Sequence, residues 1–341
     1  MRTAEAKCIR FGKKSHAEAA CFSPDGQAST RQRHARAPLT HATLQFLITG
    51  SSDGFVEVWD ASSGKLRTDL LFQQQEAFMM HDSAVLAASI SRDGELLATG
   101  SADGVLKVWQ LQTGACVRRF GAAHAASVTS CAFSRDGTHV LTGSCDATAR
   151  VHGLKSGKLL KELRGHSSFV SCASYSADDA AILTAGVDGT LRLWESRTGE
   201  AGAVIRLPQS AADAAPQPLL AVFPLPGDCA LVCPRGSSLY IVSLTAAAGG
   251  VGCVLRALPH GRGSTSPHDF VAAAVSARGG FAHGLCADGA LCCFDLASEA
   301  GKGPSRTIAA HASDGLGVVC HPQRSVVATY GGDGTLKLWK P

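Results

Sequence analysis

One short phrase recurs along this chain at a nearly fixed distance. It reads GSSDGFVEVWD at 50–60, GSADGVLKVWQ at 100–110, AGVDGTLRLWE at 185–195 and GGDGTLKLWKP at 331–341. Each copy has a turn-forming Asp-Gly pair followed by alternating apolar and polar residues that end in Trp. This is the pattern of a β-hairpin whose second strand is buried on one face. The sequence therefore predicts a fold built from repeated hairpins.

Four positions of the repeat keep constant offsets. The turn Asp is followed six residues later by an aromatic residue, and it is preceded by Thr at four residues and by His at 22. His152 takes the aromatic position of the third copy, and the copy at Asp288 has Gly284, Phe294 and a displaced His268. The best-formed copies supply His81, Thr99, Asp103 and Trp109; His124, Thr142 and Asp146; His166, Thr184, Asp188 and Trp194; and His311, Thr329, Asp333 and Trp339.

Each unit contains four strand-like runs separated by turns. A unit of roughly 40 to 45 residues that contains a Trp and often a Gly-His pair is typical of one blade of a WD-repeat propeller. One four-stranded blade cannot bury both of its faces, whereas blades stacked in a ring bury one another. The 100 residues between Asp188 and Asp288 also hold a degraded fifth unit at about 203–248, which brings the number of units to seven.

The two ends of the chain predict how the ring closes. The last unit stops at Lys340 and Pro341, directly after its Trp strand, so it lacks a fourth strand. The run CIRF at 8–11 is a strand without a unit of its own, and we expect it to pair with that open edge. The prediction is an all-β, seven-bladed WD-repeat β-propeller that occupies residues 1–341 as one domain, with degenerate fifth and sixth blades.

The recurring His, Thr, Asp and Trp permit a catalytic and a structural interpretation. His and Asp beside a hydroxyl resemble a charge-relay set. A catalytic set is needed only once, however, and copies in every well-formed blade indicate a structural hydrogen-bond network. We expect Asp to accept from His, His to contact Thr, and Thr to contact the Trp indole nitrogen. No catalytic residue is predicted, and His152 is expected to keep a ring-nitrogen contact in place of the indole.

Composition and motifs argue against several classes of function. The net charge of +4 is small for 341 residues and no Lys/Arg run is interleaved with aromatic residues, so no sequence-specific nucleic-acid binding is predicted. No phosphate-binding or dinucleotide-binding motif stands in its required context, so no cofactor is predicted. The uncharged stretch 236–255 contains Ser, Thr and glycines and is expected to form strands, not a membrane span.

Cysteine usage predicts a protein of a reducing compartment, and it predicts no metal site. The 13 Cys residues are an odd number with no C-x-x-C pair, and several lie on apolar strands at corresponding places in their units. They are interpreted as buried small hydrophobic residues. A zinc site from Cys229 and Cys233 would need two further ligands that the sequence does not place.

The first unit contains 18 extra residues at about 28–45, which read ASTRQRHARAPLTHATLQ. This segment is polar and basic and lacks strand periodicity. A disordered turn insertion and a retained in-frame intron both fit it. The functional alternative is a basic finger that reaches RNA or an acidic partner through Arg31, Arg33, His34 and Arg36.

A more specific resemblance lies outside the repeat positions. The runs IRFGKKSH, FMMHDSAVL, HGLKSGKLLKELRGHSSFV and HPQRSVVATYGGDGTLKLWKP resemble the propeller of the Smu-type splicing factors, the spliceosomal WD-repeat proteins that work with the RED protein. The resemblance extends over essentially the whole chain. It implies a nuclear, non-enzymatic scaffold in pre-mRNA splicing that supports precatalytic spliceosome assembly, activation and alternative splice-site choice. The implied partners are a RED-type protein, the tri-snRNP and associated factors, with no membrane.

The resemblance also sets an expectation about the N-terminal side. Members of that family carry a helical N-terminal half with a LisH-type dimerisation motif, which supplies the main RED-binding surface. The propeller pattern begins at once in this sequence. A fragment or truncated gene model is one interpretation, and a protein that acts without that half is the other.

Candidate contact residues lie on the rim formed by the loops and the Asp-Gly turns. Ser168 and Phe169 follow the loop residue His166, and an exposed Phe there is a plausible anchor for a partner. The alternative is that Phe169 packs under a neighbouring loop. The remaining candidates on this rim are Val187, Asp314 and Gly332.

The same scaffold is compatible with another function, because fold does not fix function. The alternative is a substrate receptor of a ubiquitin ligase or a chromatin-associated scaffold. An adaptor-binding segment outside the propeller would favour the first, and an aromatic cage in the central channel would favour the second. The sequence contains neither signal. An enzyme would require a cleft with perturbed ionisable groups.

Overall fold

The computed structural model describes residues 4–11, 16–24, 46–75, 78–208, 216–244, 253–260, 269–298 and 303–340. The predicted insertion at 28–45 and the loop residue His268 lie outside these ranges. Within them, 28 strands form seven four-stranded antiparallel sheets. The predicted all-β, seven-bladed propeller is therefore confirmed.

Each of the first four blades is made of consecutive strands. The first strand of the chain, β1 (Ala4–Arg10), is not among them. These blades consist of β2 (Ala17–Phe22), β3 (Phe46–Ser51), β4 (Phe55–Asp60) and β5 (Met79–Met80), with the helical turn α1 (Leu71–Gln74) before β5; β6 (Val85–Ile90), β7 (Leu96–Ser101), β8 (Leu106–Gln110) and β9 (Cys116–Phe120); β10 (Val128–Phe133), β11 (His139–Ser144), β12 (Thr148–Gly153) and β13 (Leu159–Arg164); and β14 (Val170–Tyr175), β15 (Ala181–Gly186), β16 (Thr190–Glu195) and β17 (Ala201–Arg206).

Blade five keeps the same arrangement without the signature residues, and blade six keeps it with only the turn residue Asp288. Blade seven combines β1 with the last three strands. These blades consist of β18 (Leu219–Leu225), β19 (Cys229–Pro234), β20 (Ser238–Ser243) and β21 (Val254–Pro259); β22 (Phe270–Val275), β23 (Phe281–Cys286), β24 (Ala290–Asp295) and β25 (Arg306–Ala309); and β26 (Gly315–Cys320), β27 (Val327–Gly331) and β28 (Thr335–Lys340), with β1 as the fourth strand.

The predicted closure by the N-terminal strand is confirmed. Strand β1 pairs antiparallel with β28, and Ile9 lies opposite Leu336 in this register. The Ile9 side chain is 2% exposed and packs in one cluster with Phe22 and Leu47 of blade one and Tyr330 of blade seven. The first and last blades are thus held together by β1 through main-chain hydrogen bonds and apolar contacts.

The predicted bounds of the fifth blade, 203–248, are wrong. Strand β17 belongs to blade four, where it pairs with β16, and blade five begins with Leu219 and ends with Pro259. The fifth unit lacks all four signature residues, so spacing was the only guide to its position. The connections on either side of it do not keep the usual spacing.

The hydrophobic core lies between adjacent blades. Ile48 and Val58 of blade one share a cluster with Leu97 and Trp109 of blade two, and these four side chains are nearly or fully buried. Burial of apolar surface between blades is the main favourable term in the stability of such a ring. In the described part of the chain, no helix is long and apolar enough to cross a membrane.

The Asp-Gly turns bring each blade against the loop that leads to the next blade. Gly104 has φ of +80°, and a Cβ added there would lie 2.5 Å from the carbonyl oxygen of His124. Only glycine combines the left-handed conformation with such a close approach. The turn Asp and the loop His are therefore placed on the same face of the propeller.

Candidate interaction surface

Blade four contains the complete predicted network. His166 Nδ1 lies 3.0 Å from Asp188 Oδ2, and His166 Nε2 lies 2.8 Å from Thr184 Oγ1. Trp194 Nε1 donates to the same Thr184 oxygen at 2.8 Å. A neutral imidazole with its proton on Nδ1 satisfies both of its contacts, because it donates to Asp188 and accepts from the Thr184 hydroxyl, whose oxygen accepts from Trp194.

Blades seven and three repeat this geometry. In blade seven, His311 Nδ1 lies 3.1 Å from Asp333, and Thr329 Oγ1 is 2.9 Å from both His311 Nε2 and Trp339 Nε1. In blade three, the corresponding distances are 2.9 Å for His124 to Asp146 and 2.7 Å for His124 to Thr142. His152 Nε2 lies 3.2 Å from Thr142 Oγ1, so it holds the place of the missing indole as expected.

Blade two forms only part of the network. His81 Nε2 lies 2.7 Å from Thr99 Oγ1, and Trp109 Nε1 donates to that oxygen at 2.8 Å. The prediction that Asp103 accepts from His81 is wrong. The Asp103 carboxylate instead accepts from the Ser101 hydroxyl and, at 3.1 Å, from the Val105 amide. Among the described residues, His81 Nδ1 has no hydrogen-bond partner.

A threonine that was not among the predicted network residues distinguishes the complete network from the partial one. In blades three, four and seven, the residue two positions after the turn Asp is Thr, and its hydroxyl donates to the Asp carboxylate at 2.6 to 2.7 Å. The same hydroxyl lies 3.2 to 3.4 Å from the His Nδ1 atom. Blade two has Val105 at this position. The sequence shows this difference, because blades three, four and seven read DAT or DGT where blade two reads DGV. The threonines are Thr148, Thr190 and Thr335.

The ionisation states fit a structural network. Burial lowers the pKa of His124, His166 and His311, so their imidazoles are neutral near pH 7. Burial opposes ionisation of Asp146, but hydrogen bonds from Thr148 and His124 outweigh it and lower its pKa to about 2. The network threonines are fully buried, with 0% exposure at Thr99, Thr142, Thr184 and Thr329. A substrate cannot reach these hydroxyls, which agrees with the structural interpretation.

Blade six replaces the network with apolar and sulfur-containing side chains. Gly284 stands in place of Thr, and a Cβ added there would lie 2.5 Å from the ring of Phe270. Phe270 and Phe294 are 0% and 1% exposed and contact each other edge to face with ring centroids 6.1 Å apart. The buried pair Cys286 and Cys292 lies beside them. The interaction between the two neighbouring thiols raises the pKa of Cys286 and lowers that of Cys292.

The loop histidine of blade six is His260, so the prediction that His268 takes this position is wrong. The backbone N–H of His260 donates to Ser237 O at 2.9 Å. His124 and His81 make the equivalent bond to the glycine of the preceding Asp-Gly turn, at 3.1 and 2.9 Å. Ser237 occupies that glycine position in the degenerate turn of blade five. Because this loop does not keep the usual length, a fixed offset from Asp288 could not find His260.

One face of the propeller carries a ring of repeated backbone contacts, which we call the inner rim. In every blade, the residue before the turn Asp or its equivalent donates its N–H, at 2.8 to 3.2 Å, to the carbonyl of the residue before the first strand. The first strands of neighbouring blades pack against each other, so this ring surrounds the centre. The donor and acceptor pairs are Ser52 and His16, Ala102 and Ala84, Cys145 and Ser127, Val187 and Phe169, Arg235 and Pro218, Ala287 and Asp269, and Gly332 and Asp314.

The structure places four of the predicted contact residues on the inner rim. Phe169 and Val187 are joined by a backbone hydrogen bond of 2.9 Å, and so are Asp314 and Gly332. The Phe169 side chain is 52% exposed, so it does not pack under a neighbouring loop. Asp314 and Gly332 are exposed, whereas Val187 is half-buried, as is Ser168 directly before Phe169 in the chain.

The surroundings of Phe169 combine apolar and charged groups. The next position along the inner rim holds the half-buried Pro218, beside the exposed Arg235. Arg235 Nε lies 3.8 Å from Asp269 Oδ2 of the following blade; the Arg235 side chain is largely exposed and that of Asp269 is partly exposed. An exposed aromatic ring bordered by a cation is a common feature of protein-binding surfaces.

The family profile described as "WD domain, G-beta repeat" matches residues 7–60, 72–110, 114–152, 157–195 and 302–340. The chain belongs to the WD-repeat family. The longest unmatched stretch, 196–301, contains blade five and most of blade six, which lack all or most of the signature residues. Its propeller is of the kind that serves as a scaffold for protein interactions.

A relative supports the more specific resemblance to the Smu-type proteins. A protein of Dictyostelium discoideum named "WD40 repeat-containing protein smu1" is 35% identical to this WD-repeat chain over 337 residues. The match covers 98% of this chain and 57% of that relative. The resemblance drawn from the sequence runs is thereby confirmed, and the chain spans little more than half the length of the relative.

Proposed function

We propose that this chain is a non-enzymatic interaction scaffold in pre-mRNA splicing. The observation that carries the proposal is the 35% identity to a smu1-named protein over nearly the whole chain, degenerate blades included. Generic repeat positions do not account for a match that also spans blades five and six. The Smu-type resemblance implies support of precatalytic spliceosome assembly and activation and of alternative splice-site choice, with the nucleus as the place of action.

The inner rim is the proposed contact surface for the spliceosomal partners. Phe169 is the large aromatic side chain that this ring exposes; its backbone is bonded to Val187, and the next position of the ring holds Pro218. Burial of an exposed aromatic ring gives a partner a large share of its binding energy. The proposed partners are a RED-type protein and tri-snRNP components, which contact the rim through protein surfaces, without sequence-specific nucleic-acid binding.

Affinity purification from nuclear extract, read by mass spectrometry, tests this proposal. The tagged chain is expected to recover the RED-type protein and tri-snRNP proteins. The Phe169→Ala variant is expected to recover them with yields about tenfold or more lower, as for a central hot-spot residue. A fluorescent fusion of the same chain is expected to accumulate in the nucleus.

A matched control separates the inner rim from exposed aromatic surface in general. Phe281 is 47% exposed, close to the 52% of Phe169, but it begins β23 and so lies at the opposite edge of the propeller. The Phe281→Ala variant is expected to recover the partners like the unmodified chain. Equal losses in both variants would contradict the assignment of the rim, and an empty recovery by the unmodified chain would contradict the scaffold role of the propeller.

The same experiment addresses the alternative from another class. A ubiquitin-ligase substrate receptor would recover cullin-type subunits, and a chromatin-associated scaffold would recover histones. Either result in place of splicing proteins would overturn the proposal.

A further inference from the structure

Three potential metal ligands converge between blades five and six. One ring nitrogen of His260 and the sulfur atoms of Cys286 and Cys292 all lie within 4.8 Å of one another. Both cysteines are 0% exposed, and His260 is half-buried. The residues come from separate elements, since His260 follows β21, Cys286 ends β23 and Cys292 lies in β24. No local sequence motif could therefore indicate the cluster.

The cluster occupies the place that the His–Thr–Asp network holds in other blades. His260 takes the loop-histidine position, as its backbone bond to Ser237 shows. Cys286 stands two residues before the turn residue Asp288, where blade four has Gly186. A Cβ on Gly186 would lie 2.4 Å from His166 Nδ1. A side chain at this position thus points at the ring of the loop histidine, and in blade six that side chain carries a thiol.

The usual partner of the histidine is replaced in blade six. Gly284 provides no hydroxyl, and the Phe270 ring fills the space that a threonine side chain would need. The imidazole that faces a threonine oxygen in blades two, three, four and seven therefore lies beside two sulfurs here. Two sulfurs and one imidazole nitrogen form a ligand set that prefers soft or borderline metal ions.

We propose that His260, Cys286 and Cys292 form a Zn²⁺ site of the Cys₂His type. Each thiol releases its proton on binding, so two thiolates neutralise the divalent ion and the complex carries no net charge. Neutrality matters because the cysteines are buried in one cluster with Leu239, Leu258 and Phe294. The fourth position is left for water or for the Thr307 hydroxyl, which lies 3.8 Å from the Cys292 sulfur.

The required movement of the ligands is small. Zinc bonds of about 2.3 Å to sulfur and about 2.0 Å to nitrogen place tetrahedral ligand atoms roughly 3.5 to 3.8 Å apart. The present separations are at most 4.8 Å, so side-chain rotations of the two cysteines and the histidine can close the site. The register of β23 and β24 places Cys292 opposite Gly284, so the two cysteines face each other only diagonally. A disulfide requires a closer approach of their Cβ atoms than such a diagonal pair ordinarily has.

Metal content and cobalt spectroscopy of the purified chain test the site. The chain is stripped with a chelator under reducing conditions, reloaded with Zn²⁺ and analysed by elemental mass spectrometry. We expect about one tightly bound zinc ion per chain. Substitution with Co²⁺ is expected to give intense visible d–d bands of a tetrahedral site and a thiolate-to-metal charge-transfer band in the near ultraviolet.

Variants identify the ligands and check the fold. Cys286→Ser, Cys292→Ser and His260→Gln are each expected to weaken zinc binding by about 100-fold and to abolish the increase in melting temperature that zinc gives the unmodified chain. Cys131→Ser, at a half-buried position on β10 of blade three, is expected to bind zinc normally. Should the cysteine variants not fold, His260→Gln alone decides, because it leaves both thiols in place.

Three results would overturn the proposal. They are a folded chain that binds no zinc, a cobalt spectrum without the thiolate band, and zinc binding that survives in Cys286→Ser and His260→Gln. Mass spectrometry of the alkylated, unreduced chain adds a fourth, since a disulfide between Cys286 and Cys292 in freshly purified protein would assign the pair to a covalent link.

Discussion

The Thr190 hydroxyl donates a hydrogen bond of 2.7 Å to the carboxylate of Asp188, two residues earlier in the same turn. This bond holds the carboxylate where His166 Nδ1 meets it at 3.0 Å. Blades three and seven have the same threonine and the same link between His and Asp. Blade two has Val105, and its histidine and Asp103 do not meet. The second residue after the turn Asp therefore decides whether the network is complete.

Substitution of this residue is expected to break the hydrogen bond between His and Asp in blade four and to form it in blade two. Thr190→Val keeps the side-chain shape but removes the hydroxyl that orients Asp188. We expect the free energy of unfolding to fall by about 1 to 3 kcal/mol, the usual cost of an unsatisfied buried polar group. Urea unfolding followed by circular dichroism measures the change, and Thr198→Val at an exposed turn of the same blade is the control.

The reverse substitution in blade two also tests whether a threonine hydroxyl orients the turn carboxylate. Val105→Thr in blade two gives Asp103 the donor that its counterparts have and is expected to raise the free energy of unfolding by about 0.5 to 1.5 kcal/mol. Ser101 is no obstacle, because blade three contains Ser144 at the same position and still forms its link. If Val105→Thr and Thr190→Val both destabilise the chain, packing and not carboxylate orientation controls these turns.

Acid is expected to destabilise the propeller through its buried histidines. Burial lowers the pKa of His152 from 6.5 to about 4, and repulsion from Arg150 and from His124 in its protonated form acts in the same direction. Between these two pH values the unfolded chain binds a proton at His152 that the folded chain does not. The contribution of neutral His152 to stability is therefore fully present above pH 6.5 and is lost as the pH falls towards 4. His152 alone contributes a loss on the order of 3 kcal/mol at pH 4.

His152→Trp isolates this contribution because it restores the usual indole and removes the titrating group. Unfolding free energies from urea titrations at pH 7 and pH 4 are compared for both chains. The loss on acidification is expected to be smaller in the variant, whatever the larger ring does to stability at pH 7. An equal loss in the two chains would show that protonation of His152 does not contribute to acid destabilisation.

The sequence predicted those parts of the network that depend on strand register. Thr184 and Trp194 stand ten residues apart on two strands that are joined by only three residues, and so short a turn fixes which side chains of the two strands meet. The Asp103 contact depends instead on the side chain of Val105, and no offset reveals the orientation of a carboxylate. His260 was missed because the loop before blade six does not keep the spacing of the others. Loop length is set by tolerance at the surface and not by packing.

Gly284 and Phe270 are expected to be coupled. Phe270 takes the place of Val85, Val128 and Val170 in other blades, and its ring fills the space beside Gly284. Gly284→Thr alone is expected to cost about 1 to 3 kcal/mol through overpacking. Combined with Phe270→Val, it is expected to cost less than the sum of the two single changes, with a coupling energy of about 0.5 to 3 kcal/mol. Additive costs in a double-mutant cycle would mean that the two positions do not share this space.

Closure of the ring by β1 is expected to make its stability depend on the first residues of the chain. Ile9 is 2% exposed between blades one and seven, so Ile9→Ala should lower the free energy of unfolding by about 2 to 5 kcal/mol. Arg10→Ala, at an exposed position of the same strand, is the control and should change it little.

Removal of residues 1–11 has a second consequence, because it leaves the edge of β28 without its partner. An unpaired apolar edge is a template for pairing with another chain, and we expect the shortened protein to form aggregates in size-exclusion chromatography. Recovery of the missing strand in trans, by a peptide of residues 1–11, is expected to restore the monomer peak. A shortened protein that stays monomeric and unfolds at the same urea concentration would show that pairing of β1 with β28 adds nothing to closure.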